Sequence, residues 1–243
     1  MVNSAGMRLL EGLLPNHCAL CRMRSYRHLP LCRPCESELP ANTVACEQCA
    51  IPLAGANHLA ASRLCGQCLA HPPPYDRVIA PWLYGEYLAR LIQRWKYQRE
   101  RHLTPVLAHL WLKKAGRRPD IDLLIPVPLH WRRRWHRGFN QSELLAAHLG
   151  DHVAAAGGLT PNLRTVKRHR PTAPQSAMCA AQRKRNLANA FTVSRPCDNL
   201  RIAIVDDVLT TGATAAALSR ALKQAGARHI EVWCLARTPT PYI

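Results

Sequence analysis

The chain has 243 residues, enough for one sizeable core plus a small module, and its 48% hydrophobic content excludes a disordered chain. Lysine and arginine total 33 against 15 acidic residues, a net charge of +18 that favours a nucleic acid or phosphate partner, heavy arginine usage across a whole proteome being the plainer explanation. The most apolar stretch, around Leu144 to Leu159, holds His148, Asp151 and His152, and the N-terminus is interrupted by Arg8 and Glu11, so neither a membrane span nor a secretory signal is expected and the location is read as cytoplasmic.

The chain opens on cysteines. Eight of the 11 form four CxxC pairs: Cys18/Cys21, Cys32/Cys35, Cys46/Cys49 and Cys65/Cys68. Each CxxC turn aims two thiolates at one centre, and a tetrahedral zinc ion needs two such turns. Ten residues separate the first two pairs and fifteen the last two. Sequential pairing into two all-cysteine zinc-ribbon sites is the simplest reading, with an interleaved cross-brace as the alternative. A disulfide framework would need an oxidising compartment, and four redox CxxC copies would need a βαβ setting. Four cysteine ligands leave no open position, so the zinc is structural, supplying stability where large apolar residues are few. None of the four pairs is followed by the glycine that often permits the left-handed turn of a knuckle. Cys234, within IEVWCLA, reads as a core residue.

HPPPYD, at 71–76, is a stiff connector that divides a cysteine module, 1–74, from a second domain, 75–243. The second domain reads as a strand over 77–84 and a helix over Tyr87–Tyr97 with Leu88, Leu91, Ile92 and Trp95 on one face. A helix from Leu103 to Lys114, with Pro105 in its first turn, leads to a buried strand, DLLIPVP, at Asp122–Pro128. WRRRWHRGF follows as a loop, and Asn140 to about Ala156 as a helix. A short strand enters a basic loop from Lys167 to Arg185, and a short helix leads to a strand at Phe191. RIAIV is a strand, Ala213 to Ala225 a helix stopped by Gly226, and HIEVWCLAR the last strand. Strands alternating with helices predict an α/β fold with a mostly parallel sheet and its ligand site at the strand carboxyl ends.

That edge receives Asp206 and Asp207, then Thr210, Thr211, Gly212, Ala213 and Thr214 around the start of a helix. A helix N-terminus, a close-approach glycine and threonine hydroxyls together suit a phosphate group. The carboxylates suit sugar hydroxyls or a Mg²⁺ ion carrying further phosphates. No GxxxxGK[ST] and no GxGxxG occur, which removes the NTPase and dinucleotide readings. Simple helix capping needs fewer such residues.

VDDVLTTGAT, Val205–Thr214, resembles the phosphoribosyl-diphosphate (PRPP) signature of type I phosphoribosyltransferases. PVPLHWRRRWHRGFNQSELLA, TAPQ, RKRNLANAF and the CxxC pairs together resemble the ComF, or GntX-like, family over nearly the whole chain. The resemblance implies a double zinc ribbon followed by a type I phosphoribosyltransferase-like domain. It implies a catalytic pair, Asp206 and Asp207, on the ribose hydroxyls of PRPP with Mg²⁺, and the 210–214 loop on its 5′-phosphate. The loop after IPVP becomes the pyrophosphate loop, with Arg132, Arg133, Arg134 and Arg137 as guanidinium forks for the diphosphate. The 167–185 loop takes the place of the catalytic hood, where Gln175, Arg183, Arg185 and Asn186 match the family pattern. The family is linked to DNA uptake in competence and to external DNA as a nutrient, and some members to gluconate metabolism.

Trp131, Trp135 and Phe139 interleave with the arginines, as a single-stranded DNA surface would have them; tryptophans packed inward under a solvated loop are the competing reading. The sequence thus predicts a DNA-uptake or DNA-utilisation protein that binds PRPP, or a related phosphorylated ribose, and single-stranded DNA, with uptake-machinery proteins as further partners. An active phosphoribosyltransferase of nucleotide metabolism and a PRPP-sensing regulator are the alternatives.

Overall fold

A computed structural model describes residues 16–53, 63–116, 120–129, 134–135, 137–153, 159–168 and 190–239. Two five-residue helices, α1 (Arg33–Ser37) and α2 (Gly66–Ala70), follow directly on Cys32 and Cys65, which stand at their N-caps. The strand expected over 77–84 is two strands, β1 (Arg77–Ile79) and β2 (Trp82–Leu83). Between them lies Pro81, which has no N–H to give to a ladder.

Helices α3 (Glu86–Tyr97) and α4 (Thr104–Ala115) follow, with a 3₁₀ turn over Arg101–Leu103 between them. Leu88, Leu91, Ile92 and Trp95 are all buried, as their spacing predicts. Pro105 sits in the first turn of α4, where its missing N–H costs nothing. Then come β3 (Leu123–Pro126), α5 (Gln141–Val153), β4 (Val166–Arg168), β5 (Phe191–Val193), β6 (Arg201–Leu209), α6 (Ala213–Gln224) and β7 (His229–Arg237). Strand β6 is longer than the expected RIAIV and carries the aspartates within it. Gly226, with φ +98°, turns the chain out of α6 in a conformation only glycine takes freely.

The main sheet runs β1-β7-β6-β3, with β2 continuing beside β7, and every pairing in it is parallel. Strands β4 and β5 form a separate antiparallel pair. Alternation along β6 and β7 sorts side chains to two faces. Ala203, Val205, Trp233 and Leu235 pack with Leu91, Trp95, Leu107, Trp111 and Leu145 of α3, α4 and α5. Ile202, Ile204, Val232 and Cys234 pack with Leu218 and Leu222 of α6. Trp111 and Trp233 tilt against each other at 4.9 Å between ring centroids.

The cysteine region packs onto both faces. Leu31, Leu39, Cys18 and Cys32 join the first core; Ala50 and Tyr75 join the second. Leu83 N–H donates to the Pro40 carbonyl, Asn42 donates to the Ala80 carbonyl, and Arg94 donates to the Ala19 carbonyl. Among the described residues no helix is long and apolar enough to cross a membrane.

Candidate functional site

The eight paired cysteines gather as two sets, Cys18, Cys21, Cys32, Cys35 and Cys46, Cys49, Cys65, Cys68, with the sulfurs of each set within 4.8 Å of one another. The pairing is therefore sequential, and the cross-brace alternative falls. All described cysteines are free thiols. The Cys21–Cys32 and Cys49–Cys65 sulfurs lie 3.8 and 3.6 Å apart, too far for a disulfide. A zinc tetrahedron with its usual metal–sulfur bonds puts sulfurs about 3.8 Å apart, so both sets fit structural zinc.

Each set joins two kinds of turn. Cys18–Cys21 and Cys46–Cys49 are knuckles in which the N–H of Arg22 and of Ala50 donates back to the Cys18 and Cys46 carbonyls. Arg22 and Ala50 hold φ of +62° and +55°, so the left-handed step is taken without glycine. Cys32–Cys35 and Cys65–Cys68 instead open α1 and α2, with Cys32 and Cys65 at the N-caps. Burial opposes ionisation of Cys18, but the N–H groups of Cys21, Cys32 and Leu20 outweigh it and bring the thiol down to about 6. Burial pushes the Cys49 thiol up to about 11.

The second centre is a cleft of about 490 Å³ at the carboxyl ends of β3 and β6. Lys96, Tyr97, Arg137, Arg168, Asp206, Asp207 and the whole 210–214 loop line it. Gly212, at φ +73°, is the N-cap of α6, so the strand turns into the helix in one left-handed step. A Cβ built on Gly212 would stand 3.0 Å from the Tyr75 hydroxyl.

The two aspartates differ. Asp207 forms an ion pair with Lys96 Nζ at 2.7 Å, both side chains being about 15% exposed. Its carboxylate also accepts the Val208 N–H at 2.6 Å. Asp206 accepts from the Ser142 hydroxyl at 3.3 Å and from the Asp207 N–H at 2.9 Å. Burial, then the neighbouring Asp207 charge, pushes Asp206 up to about 7 against those donors and Lys96. Ser142 is held by Asn140, whose side-chain oxygen caps α5 by accepting the Ser142 N–H.

The predicted arginines separate. Arg137 lines the cleft, its guanidinium 5.0 Å from the Tyr97 ring centroid and bonded to Gln141 at 3.2 Å. Arg134 turns aside to Glu143 at 3.1 Å. Arg132, Arg133 and Trp131 lie outside the described residues, as do Gln175, Arg183, Arg185 and Asn186. The expected loop is helical at Arg134, Trp135 and Arg137, and the Gly138 N–H closes that turn on the Arg134 carbonyl. Trp135 is 84% exposed, whereas Phe139 is buried with Arg101 over its ring. The aromatics therefore divide between the two readings, one displayed and one packed. Tyr26, just after the first knuckle, is also displayed, 83% exposed, with Arg24 over its ring.

Sequence reading missed Lys96, Tyr97, Ser142 and Arg168. Lys96 and Tyr97 end a helix whose pattern signals only its apolar face, and nothing local says that its last turn meets β6.

Residues 9–69 match the model of the Double zinc ribbon domain. The chain is 38% identical over 232 residues to DNA utilization protein YhgH of Salmonella typhi, covering 93% of this chain and 98% of that protein. The same-named protein of Escherichia coli (strain K12) is 37% identical with the same coverage. Competence protein F of Haemophilus influenzae is 38% identical over 183 residues, 71% of this chain and 78% of its own. Among solved structures, a purine phosphoribosyltransferase from Pyrococcus horikoshii Ot3 is similar over 61% of this chain and 93% of that chain, at 19% identity and a TM-score of 0.29. A superposition that loose equates no residue of one with a residue of the other.

Proposed function

The chain belongs to the ComF family, that of DNA utilization protein YhgH and competence protein F, and from that membership we propose that it serves the uptake or use of external DNA. In this reading the cleft binds PRPP or a related phosphorylated ribose, and the basic surface holds single-stranded DNA. One observation carries the first part: an acidic pair, a left-handed glycine turn and a helix N-terminus face Lys96, Arg137 and Arg168 across one cleft. The 5′-phosphate takes the N-terminal N–H groups of α6 and the threonine hydroxyls of the 210–214 loop. Asp206 and Asp207 meet the ribose hydroxyls, and Arg137 and Lys96 meet the diphosphate.

Lys96 already meets part of the acidic pair's charge. It pairs with Asp207, and burial together with the Asp207 charge raises Asp206 to about 7. Mg²⁺ would enter with the diphosphate of the ligand and would supply neutralisation of its charge. The two cysteine sets hold structural zinc, which fixes the turns around them. Transfer of the phosphoribosyl group and sensing of PRPP are the alternative readings, and both share the ligand.

Calorimetric titration of PRPP–Mg²⁺ into the protein should give saturable binding that is lost in Asp206→Ala/Asp207→Ala. Equal affinity in the two proteins would remove the ribose assignment. Single-stranded DNA should bind with a steep salt dependence, each phosphate contact adding about 0.7 to the logarithmic slope. Replacing Arg134 and Arg137 by alanine should lower that slope by about 1.4; an unchanged slope would move the DNA elsewhere on the molecule.

A further inference from the structure

We infer that the second cysteine site braces the phosphate loop: Arg237 and Tyr75 transmit the position of the Cys46–Cys49 turn to the backbone of Leu209–Gly212, so that loading of this site sets the loop's shape. The consequence for ligand affinity rests on the reading of the cleft just proposed; the brace itself does not.

Arg237 ends β7 and is only 8% exposed. Its guanidinium reaches in two directions. Nε donates to the Cys49 carbonyl at 3.1 Å, within the knuckle of the second site. Nη1 donates to the carbonyls of Leu209 at 3.0 Å and Thr238 at 2.9 Å, and also to that of Thr210. Among the described residues no carboxylate pairs with Arg237; its buried charge is met by these four carbonyl dipoles. A buried guanidinium needs such partners, so the carbonyls of Leu209 and Thr210 and that of Cys49 hold one another in place through it.

A second strut runs beside the first. Gln48, inside the CxxC knuckle, donates to the Tyr75 carbonyl at 3.4 Å. Tyr75 is 5% exposed, and its hydroxyl lies against the glycine that turns β6 into α6. Four-cysteine ligation fixes the knuckle, including the left-handed Ala50. Without it, the Cys49 carbonyl and the Gln48 side chain lose the geometry on which both struts end.

Among the described residues the first cysteine site has no such line to Leu209–Gly212. It packs on the opposite face of the sheet, and its polar ties run to α3 and α4 through Arg94–Ala19 and through Glu36, which pairs with Lys113. The two sites, alike in ligands, therefore differ in what they support.

The test uses the full chain in four forms: wild type, Cys65→Ser/Cys68→Ser, Cys32→Ser/Cys35→Ser, and Arg237→Gln, which keeps every zinc ligand. Hydrogen–deuterium exchange is read on the 205–215 segment and on α4 as a remote control, together with zinc content and calorimetric affinity for ribose 5-phosphate. The second-site variant and Arg237→Gln should each speed exchange at 205–215 by about tenfold, with α4 unchanged, and weaken ribose 5-phosphate by about tenfold. The first-site variant should leave the loop's exchange at the wild-type rate. Wild-type exchange of the loop in zinc-loaded Arg237→Gln overturns the brace, as does equal acceleration across the whole chain in both cysteine variants. Loss of loop protection in a protein whose wild type ignores ribose 5-phosphate upholds the brace and removes the ligand reading instead.

Discussion

Asp206 and Asp207 are adjacent in sequence but are different acids in the fold. Asp207 is ion-paired with Lys96 at 2.7 Å, whereas burial, then the Asp207 charge, raises Asp206 from 3.8 to about 7. A carboxyl whose folded pKa is raised contributes stability that is complete below its unfolded value and disappears as pH rises through the folded one. For Asp206 the window is about pH 4 to 7. Asp206→Asn, which cannot ionise, should escape this loss. Urea unfolding of the two proteins should show wild type falling relative to the variant across that window, by at most about 1.4 kcal/mol per pH unit, and running parallel above it. Parallel curves from pH 4 upward would mean that Asp206 ionises as a solvated carboxyl does. In the proposed reading the same asymmetry bears on the ligand, because a protonated Asp206 would donate a hydrogen bond to a ribose oxygen while Asp207 would accept one.

At the scale of elements, the β6–α6 junction turns on one residue. Gly212 holds φ +73°, and a methyl group there would meet the Tyr75 hydroxyl at 3.0 Å. Gly212→Ala should therefore cost about 1–2 kcal/mol in denaturant unfolding from the left-handed backbone alone. It should also weaken PRPP, because the loop must shift away from Tyr75. A variant with wild-type midpoint and affinity would show that the turn needs neither the glycine nor its fit against Tyr75. This junction was legible in sequence, since apolar run, acid pair, hydroxyl-rich turn and helix follow one another locally. So were α3, α4 and β7, whose apolar spacing states their buried faces directly. Of the cleft's cations Arg137 was legible, whereas Lys96 and Arg168 were not. Lys96 lies on α3 and reaches Asp207 only because α3 covers β6, a packing fact without a local signature. The cysteine pairing was left open by spacing and is decided by which knuckle faces which short helix. The strand over 77–84 was misjudged at Pro81, where one missing donor divides a continuous apolar run.

At the scale of the whole molecule, the cysteine region completes the sheet on both faces. A division at 74/75 follows the sequence, yet Leu31 and Leu39 bury themselves against the helices of the second unit, and Tyr75 belongs to the core that also holds Leu209 and Ala215 on either side of the 210–214 loop. Polar ties cross at several points: Leu83 to Pro40, Asn42 to Ala80, Arg94 to Ala19, and Lys113 to Glu36. Chain 75–243 expressed alone would expose the apolar surface that Leu31 and Leu39 cover and would leave the buried Arg237 without the Cys49 carbonyl. Uncovering two well-buried leucines costs several kcal/mol, and each kcal/mol lowers the melting temperature of a chain of this length by about 2–4 °C. The fragment should therefore melt about 10 °C or more below the whole chain, or fail to stay in solution, and it should bind a dye that reports exposed apolar surface. A fragment that melts with the full chain would show that the zinc module merely rests on the second domain. The predicted loss would mean instead that the cysteine sites and the cleft fold as one unit, which is the condition for the proposed zinc brace on the 210–214 loop.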